Sequence, residues 1–229
     1  MELTKEQIQE LYKFTRKHYV EYYDVQTELV DHLANDIENI WVEHPNLSFE
    51  QARDKSFKKF GVFGFMDVVE EKQKQLSKKY VKILWRFTKE WFQLPKIILT
   101  MSIFLLFYTL LEFSIGQIIF LGLLTILGAA DLFLGYKLRR KAKKREKENN
   151  RKWMLEEMIF TTASFSGVLI VSNLIQIINA VDDISSTWDK MLFSLLFTAT
   201  VIYSYVTIIV IPKKAEELLE EHYPEYKIV

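Results

Sequence analysis

Five side chains between positions 28 and 36 have the types and the spacing of a ligand set. Glu28, Asp31, His32, Asn35 and Asp36 recur at i, i+3, i+4, i+7 and i+8, so a helix places them on one face. Carboxylate and imidazole ligands at helical spacing can bind a divalent cation, whereas the alternatives are a solvated face or a docking surface. Because this helix has one histidine and no second cluster, we predict no metal site. The candidate partner surface consists of Glu28, Asp31, His32 and Asp36.

A second group of polar side chains lies within apolar stretches of the chain. Asp131 is the only charge between residues 116 and 136, and Asn173, Gln176 and Asn179 repeat at i, i+3 and i+6 in an uncharged run. In hydrocarbon such groups need partners, so this face predicts either contacts between helices or a polar pathway for a small solute. These four residues form the candidate intramembrane polar site.

Two charges near the ends of apolar runs also have simpler interpretations. Asp131 lies close to a basic segment, and Arg139 and Arg140 are near enough to pair with it if the helix end frays. Glu112 lies near the opposite end of its own run and can reach water. We expect both carboxylates at the membrane boundary, with a functional polar site as the alternative.

The composition excludes several kinds of chemistry. The 229 residues include no Cys, which rules out disulfides, thiol nucleophiles and iron–sulfur clusters, and the 7 Gly and 4 Pro argue against a turn-rich β architecture. No metalloprotease, nucleophile-elbow, phosphate-loop or dinucleotide-binding motif is present. We therefore predict a protein that is not an enzyme and has no cofactor.

Four apolar runs dominate the chain after residue 96. They cover residues 97–113, 116–136, 158–180 and 191–211. A helix that crosses the ~30 Å hydrocarbon layer needs about 20 apolar residues. The first run reaches that length if it begins near Phe92, with Pro95 in its first turn. The runs predict an integral membrane protein with helices at about 96–113, 116–136, 156–180 and 190–211, which form two hairpins.

The charges give an orientation, although 30 basic residues balance 30 acidic ones. Residues 78–96 hold six basic and one acidic side chain, and residues 137–152 hold ten and two. Positive residues beside spans stay in the cytoplasm, so both termini and the predicted basic loop 137–152 are expected there. The start of the chain lacks a secretory signal, and we predict a bacterial inner membrane protein. The candidate lipid and topology residues are Lys82, Arg86, Arg139, Arg140, Lys143, Lys144 and Arg145.

Residues 78–95 form a predicted basic amphipathic juxtamembrane helix. Tyr80, Ile83, Leu84, Phe87 and Trp91 share a stripe, and lysines occupy most of the other side. Such a helix suits anionic lipid headgroups, or it simply extends the preceding domain into the first span; one continuous helix is compatible with both. Because topology and lipid explain the basic segments, no nucleic-acid partner is predicted.

Residues 1–77 predict a small cytoplasmic helical domain. Capping boxes begin at Thr4 and Ser48, hydrophobic residues follow at helical spacing, and Gly61 is a candidate left-handed helix end. The fold class is therefore all-α, a small cytoplasmic helical bundle followed by a four-helix transmembrane bundle and a tail at 213–229.

The order of helices in the first 80 residues resembles a known bacterial domain. EQIQELYKFTRKHY is followed by the acidic helix YDVQTELVDHLANDIENIW and by SFEQARDKSFKKFG, with Glu28, Asp31, His32, Asp36, Glu38 and Phe60–Gly61 as the matching positions. This resembles the HAAS (DUF1700-like) cytoplasmic helical domain of multi-pass membrane proteins, although FGVFGFMDVVEE lacks the proline that the group has after the glycine. The resemblance implies a signalling or regulatory role without catalysis, often beside PadR-type regulators.

Three functions remain open from the sequence. The first is a non-enzymatic regulatory or accessory membrane protein that binds a protein partner or a second copy of itself, as well as anionic lipid. The second is a small transporter or channel subunit that uses Asp131, Asn173, Gln176 and Asn179. The third, an intramembrane enzyme acting on lipid, has only buried polar groups in its favour.

Overall fold

A computed structural model describes residues 2–93, 96–113, 115–173, 176–179, 184, 186–223 and 226. Within these residues the chain forms helices and no strand, which confirms the all-α prediction. The helices are α1 (Lys5–Lys17), α2 (Tyr23–Glu43), α3 (Phe49–Lys58), α4 (Met66–Trp91), α5 (Lys96–Leu110), α6 (Gly116–Asn149), α7 (Met154–Ser172), α8 (Thr187–Tyr205), α9 (Ile211–Lys213) and α10 (Ala215–His222).

The chain divides into two compact units. The N-terminal unit comprises Met1–Lys79 and, unexpectedly, Asn149–Leu155 from the connection between α6 and α7. The membrane unit comprises Tyr80–Glu148 and Glu156–Val229. The helices α4, α6 and α7 are therefore each divided between the two units. Segment 149–155 lies far along the chain from the predicted N-terminal domain, residues 1–77.

The N-terminal unit is built around α2. Its apolar face buries Val25, Leu29, Leu33 and Ile37 completely, and Leu11 of α1 is equally buried. Capping boxes at Thr4 and Ser48 begin α1 and α3 as the sequence predicts, because each hydroxyl accepts a hydrogen bond from a backbone N–H three residues later. Tyr19 lies beyond the end of α1 at Lys17, where it adopts a φ of 66° and is 81% exposed.

The turn between α3 and α4 is fixed by aromatic packing. Gly61 and Gly64 have φ angles of 76° and 57°, which favour glycine because a Cβ atom is strained there. This backbone brings Phe65 to 4.8 Å from Phe57, and His18 lies 4.3 Å from the same Phe57 ring (centroid distances). The left-handed Gly61 expected from the sequence is confirmed.

The membrane unit holds the apolar helices. Gly116–Asn149, Met154–Ser172 and the continuous run Thr187–Lys213 are long and apolar enough to cross a membrane, and the bent pair α4 and α5 gives a fourth span if it is counted as one. The protein is therefore a helical membrane protein with three to four candidate spans. The predicted position of Pro95 in a first turn lies outside the described residues.

The predicted basic loop 137–152 is helical as far as Asn149. Lys, Arg and Glu are good helix formers, and no Gly or Pro interrupts residues 136–148, so α6 continues beyond its apolar part. The non-helical connection is reduced to residues 150–153. The described part of α7 ends at Ser172, and residues 176–179 of the predicted span 156–180 are also helical.

The run that contains α8 changes its hydrogen bonding before Pro212. Residues Val206–Val210 form a π-helical turn, after which α9 begins. Pro212 has no N–H group, and its ring collides with the carbonyl four residues earlier in a regular helix. A π-turn relieves this collision without ending the helix.

Three phenylalanines lie together in the core of the membrane unit. Phe107 of α5, Phe120 of α6 and Phe197 of α8 are buried, with the Phe197 ring 4.1 Å from Phe107 and 5.0 Å from Phe120 (centroids). Tilted ring contacts of this kind contribute to the packing of the helices, because burial of apolar surface from water does not drive helix association in lipid.

The apolar stripe of the predicted juxtamembrane helix is covered by protein. Within α4, Tyr80, Ile83, Phe87 and Trp91 are buried, and the Trp91 Nε1–H donates a 2.9 Å hydrogen bond to Thr100 Oγ1. The segment therefore continues α4 into the membrane unit, and its exposed face carries basic residues together with the apolar Val81 and Trp85.

Candidate functional site

Asp131 is buried in the membrane unit, where only 4% of its surface is exposed. Its Oδ2 atom accepts a 2.6 Å hydrogen bond from the Ser204 hydroxyl of α8. The Ser166 hydroxyl of α7 lies 3.4 Å from the same oxygen. A carboxyl group within apolar helices is costly unless polar groups contact it, and here two other helices supply them.

Glycines allow α6 and α7 to approach closely on both sides of Asp131. Gly128, Asp131 and Gly135 share one face of α6, and Gly167 faces them from α7. A Cβ atom at Gly135 would lie 2.6 Å from Ser164 Cα, and one at Gly167 would lie 2.5 Å from Leu132 N. Small residues let transmembrane helices pack backbone to backbone, which is what brings Ser166 near Asp131.

An open cavity of about 410 Å³ lies beside this contact. Its lining is mainly aliphatic, with hydroxyl groups from Ser166, Thr200 and Tyr203, and Asp131 is not among the lining residues. The carboxyl group is thus contacted by hydroxyls and does not line this cavity. Chemically, this arrangement fastens three helices together.

Arg145 is the centre of an ion-pair network at the basic end of α6. Its Nη2 lies 2.9 Å from Glu156 Oε1 of α7, and its Nη1 lies 3.1 Å from Glu216 Oε1 of α10. The Arg145 and Glu156 side chains are 21% and 11% exposed, so solvent screens this pair little. The Phe160 ring lies 5.4 Å from the guanidinium.

At the other end of the bundle, Glu112 and Lys190 form a pair. Their Oε2 and Nζ atoms are 2.9 Å apart, and Lys190 belongs to the first turn of α8. Glu112 was expected to reach water, and its side chain is indeed 47% exposed, yet it also connects the end of α5 to α8.

The connection Asn149–Leu155 is bound to the start of α2. The Tyr23 backbone N–H donates a 2.7 Å hydrogen bond to the Lys152 carbonyl, and the Met154 N–H donates to Asp24 Oδ1 at 3.3 Å. Lys152 Nζ also pairs with Glu21 at 2.9 Å. Trp153 is 4% exposed and contacts the Tyr23 ring. Main-chain, charge and aromatic contacts therefore hold this segment in the N-terminal unit.

The acidic face of α2 is partly occupied by intramolecular ion pairs. Glu28 pairs with Lys72, and Asp36 lies 2.6 Å from Lys59 Nζ, while Asp31 and His32 are exposed. Burial alone would raise the pKa of Asp36, but the hydrogen bond and charge of Lys59 outweigh it and lower that pKa. Within the part of the chain that the structure describes, no group of three His, Cys, Asp or Glu side chains is arranged to hold a metal ion.

Comparison with known families assigns most of this chain. A family model described as "Domain of unknown function (DUF373)" matches residues 58–225. The chain belongs to the DUF373 family. No curated protein and no solved structure matches it. The DUF373 match contains the connection Asn149–Leu155 and the membrane unit as far as residue 225, whereas α1 and α2 lie before it.

The resemblance to the HAAS domain concerns the first 80 residues, and the DUF373 match leaves residues 1–57 of that region uncovered. No match to the HAAS group was found, so this resemblance stays a prediction. Family membership supplies no activity, because DUF373 is itself uncharacterised.

In this DUF373 protein the predicted intramembrane polar site does not come together as one cluster. Asp131 is buried, whereas Asn173, Gln176 and Asn179 are exposed. The Asn173 side-chain amide donates to the Leu169 carbonyl of its own helix at 2.8 Å. The polar repeat at i, i+3 and i+6 is real, but it follows the described end of α7 and does not face the Asp131 contact.

The pairing expected for Asp131 is also different. Arg139 and Arg140 were to reach it at a frayed helix end, but α6 is unbroken and both arginines are exposed. Asp131 instead meets Ser166 and Ser204. Serines are common in apolar spans, so their hydroxyls alone gave little signal; the glycines at i−3 and i+4 from Asp131 were the better indication of a close helix contact.

Most of the predicted lipid and topology residues lie on the surface of the DUF373 membrane unit. Lys82, Arg139, Arg140, Lys143 and Lys144 are exposed. Arg145 differs, since its guanidinium is used by Glu156 and Glu216. Arg86 lies 3.7 Å from Glu221 of α10.

Proposed function

We propose that this DUF373 protein is a non-enzymatic regulatory protein of the bacterial inner membrane, with both termini in the cytoplasm. Its N-terminal unit receives a partner or a signal and passes the change to the transmembrane bundle. The observation that supports this role is the binding of Asn149–Leu155 to α2 through Glu21, Tyr23 and Asp24. A domain that only anchored a partner would not need to hold the connection between two spans.

The path of the chain connects segment 149–155 to two membrane helices. Segment 149–155 continues directly into α6 on one side and α7 on the other, and these two helices share the glycine contact and Asp131. A change in how α2 holds this short segment therefore acts on two tightly packed helices. Packed interfaces with two discrete arrangements can convert small shifts into a change of state.

Weakening the hold of α2 tests the proposal. In lipid nanodiscs, the double variant Glu21→Gln/Asp24→Asn should exchange backbone amide hydrogens faster at residues 149–155 and also in the adjoining parts of α6 and α7. Glu43→Gln, an exposed acid at the end of α2, is the matched control and should change neither. Faster exchange confined to residues 149–155 would contradict the proposed coupling.

The proposed protein partner would bind the exposed part of the acidic α2 face, at Asp31 and His32. Charge reversal at Asp31 should change which proteins co-purify in mild detergent. Charge reversal at Lys143 and Lys144 should do the same if the partner also contacts these lysines. Arg145 is unsuitable for this test, because its loss also breaks the network with Glu156 and Glu216. Unchanged partners with intact membrane insertion would count against this surface.

The transporter alternative is not favoured. It relied on Asp131 together with Asn173, Gln176 and Asn179, and these three amides are exposed and separate from the buried aspartate. The cavity beside Ser166 has a mainly aliphatic lining. A solute pathway would need polar groups around one connected space.

A further inference from the structure

A cavity of about 430 Å³ opens in the N-terminal unit where α1, the start of α2 and the connection at residues 149–151 meet. Three cations line it, Lys13 and Arg16 from α1 and Arg151 from the connection, together with the rings of Tyr12 and Tyr23. The remaining lining residues carry side-chain amides, and none of the described lining residues is acidic. The volume lies within the ~300–1,000 Å³ range of small-molecule sites.

The convergence of three cations contrasts with the charge of the surrounding region. Residues 1–77 hold 15 acidic and 10 basic side chains. Among the described residues, Lys13, Arg16 and Arg151 form no ion pair with a carboxylate. Like charges brought together in a cavity repel unless an anion lies between them, so this arrangement favours an anionic ligand.

The aromatic wall indicates the other part of that ligand. The Tyr12 and Tyr23 rings are nearly parallel, at 11°, with centroids 6.0 Å apart. Tyr12 is fixed by a 3.2 Å hydrogen bond from its hydroxyl to Thr27 Oγ1, and the Arg151 guanidinium lies 4.3 Å from the Tyr23 centroid. Flat aromatic and guanidinium surfaces stack on planar rings, and guanidinium groups bind phosphate in a bidentate manner.

We propose that this cavity binds a small phosphorylated compound with a planar ring, of the nucleotide class. Lys13 and Arg16 contact its phosphate, and the tyrosines and side-chain amides contact its ring. Because Arg151 belongs to the connection, the ligand bridges α1 and segment 149–155 and strengthens the hold of the N-terminal unit on that segment. This part of the inference rests on the proposed function and names the signal that enters the coupling.

Binding is tested with the full chain in nanodiscs of zwitterionic lipid, which keeps anionic headgroups out of the assay. Titration calorimetry compares inorganic phosphate, ribose 5-phosphate, AMP and ATP as probes. We expect AMP or ATP to bind about tenfold or more tightly than ribose 5-phosphate, and Lys13→Gln/Arg16→Gln to weaken that binding by about tenfold or more. Lys17→Gln, an exposed cation of the same helix outside the cavity, is the matched control.

Several results would overturn the site. The first is that no probe binds at millimolar concentration, and the second is that AMP and ribose 5-phosphate bind with equal affinity. The third is that Lys13→Gln/Arg16→Gln and Lys17→Gln lose equal nucleotide affinity. Binding of phosphatidylglycerol vesicles that depends on Lys13 and Arg16, without nucleotide binding, would assign the cations to the membrane surface instead. Lys13, Arg16 and Lys17 are exposed, so their substitution should not prevent folding. Thermal unfolding without ligand checks that each variant is folded.

Hydrogen exchange separates this inference from the proposed function. Bound nucleotide should slow amide exchange at residues 149–155. If it does so while α6 and α7 remain unchanged, the binding site stands and the coupling fails. If the Glu21→Gln/Asp24→Asn variant alters α6 and α7 but no probe binds, the coupling stands and the ligand site fails.

Discussion

The Ser204 hydroxyl of α8 donates a 2.6 Å hydrogen bond to the Asp131 carboxylate of α6, across 73 positions of sequence. Ser166 of α7 approaches the same oxygen, so one buried acid contacts two further helices. Lipid tails are as apolar as the surfaces of the helices, so the hydrophobic effect does not drive one helix against another. Hydrogen bonds between helices and close packing therefore determine which helices associate. Asp131 therefore identifies the point at which α6, α7 and α8 are held in register.

Removing the Asp131 carboxyl should destabilise the bundle modestly. Asp131→Ala leaves the Ser204 hydroxyl without its acceptor, whereas the Ser166 hydroxyl keeps the Ala163 carbonyl of its own helix at 3.1 Å. The variant should lower stability by about 1–2 kcal/mol, the range for interhelical hydrogen bonds in membranes. Asp131→Asn keeps an acceptor oxygen and should cost less. Unfolding in mixed micelles measures both.

Ser204→Ala should reproduce most of the Asp131→Ala effect, because its hydrogen bond is the shorter of the two. Thr200→Ala is the control one turn earlier, since the Thr200 hydroxyl bonds to the Leu196 carbonyl of its own helix. Equal losses in Ser204→Ala and Thr200→Ala would show that Asp131 does not fasten the helices.

A methyl group added to the α6–α7 contact should be poorly tolerated. The Cβ atom of Gly167→Ala or Gly135→Ala would meet backbone atoms at 2.5 Å or 2.6 Å, so the helices must separate. We expect each variant to lose about 1–3 kcal/mol of unfolding free energy. Gly122→Ala in the same α6 helix has nothing within 4 Å of its Cβ and should be neutral or slightly stabilising. Comparable melting temperatures for all three variants would contradict the close contact.

The sequence indicated the helical class and the apolar runs correctly because both depend on local periodicity and length. The helical conformation of residues 137–149 was not predicted. Their positive charge indicates the topology and suggested a loop between spans, but Lys, Arg and Glu favour helix. The sequence also separated residues 149–155 from the N-terminal unit, and no local pattern could predict that Lys152 contacts Tyr23. Contacts at long range follow from tertiary packing, which single-residue propensities do not contain.

Arg145 should be far more important for stability than its neighbours in the basic segment. Arg145→Met leaves Glu156 nearly buried without its positive partner and should cost about 2–3 kcal/mol. Lys144→Met is the control, because the Lys144 side chain is 77% exposed and its loss should cost no more than about 0.5 kcal/mol. Thermal unfolding in nanodiscs compares them.

A double-variant cycle identifies the cause of that loss. Glu156→Gln removes the charge that Arg145→Met leaves uncompensated, so the Arg145→Met/Glu156→Gln protein should be more stable than Arg145→Met alone. Additive losses would indicate that Arg145 acts through packing on Phe160 and not through its ion pair with Glu156.

His18 should make the stability of the N-terminal unit depend on pH. Burial against Phe14 and Phe57, followed by the charges of Lys17 and Arg53, lowers its pKa below the ordinary value of about 6.5. At a pH between its two pKa values, the His18 imidazole is therefore protonated in the unfolded chain and still neutral in the folded unit. The contribution to stability is fully present above pH ~6.5 and is lost as the pH falls from there to the lowered pKa of the folded state.

His18→Phe keeps an aromatic ring in the cluster and removes the titration, so stability should change less between pH 7.5 and pH 5. Pulse proteolysis in urea, applied to the full chain, reports the unfolding of the N-terminal unit, and the ratio of variant to wild type at each pH cancels the pH dependence of the protease. His32→Gln, at an exposed position of α2, should keep the wild-type profile. If His18→Phe and the wild type lose stability in parallel on acidification, groups other than His18 cause the pH dependence of stability.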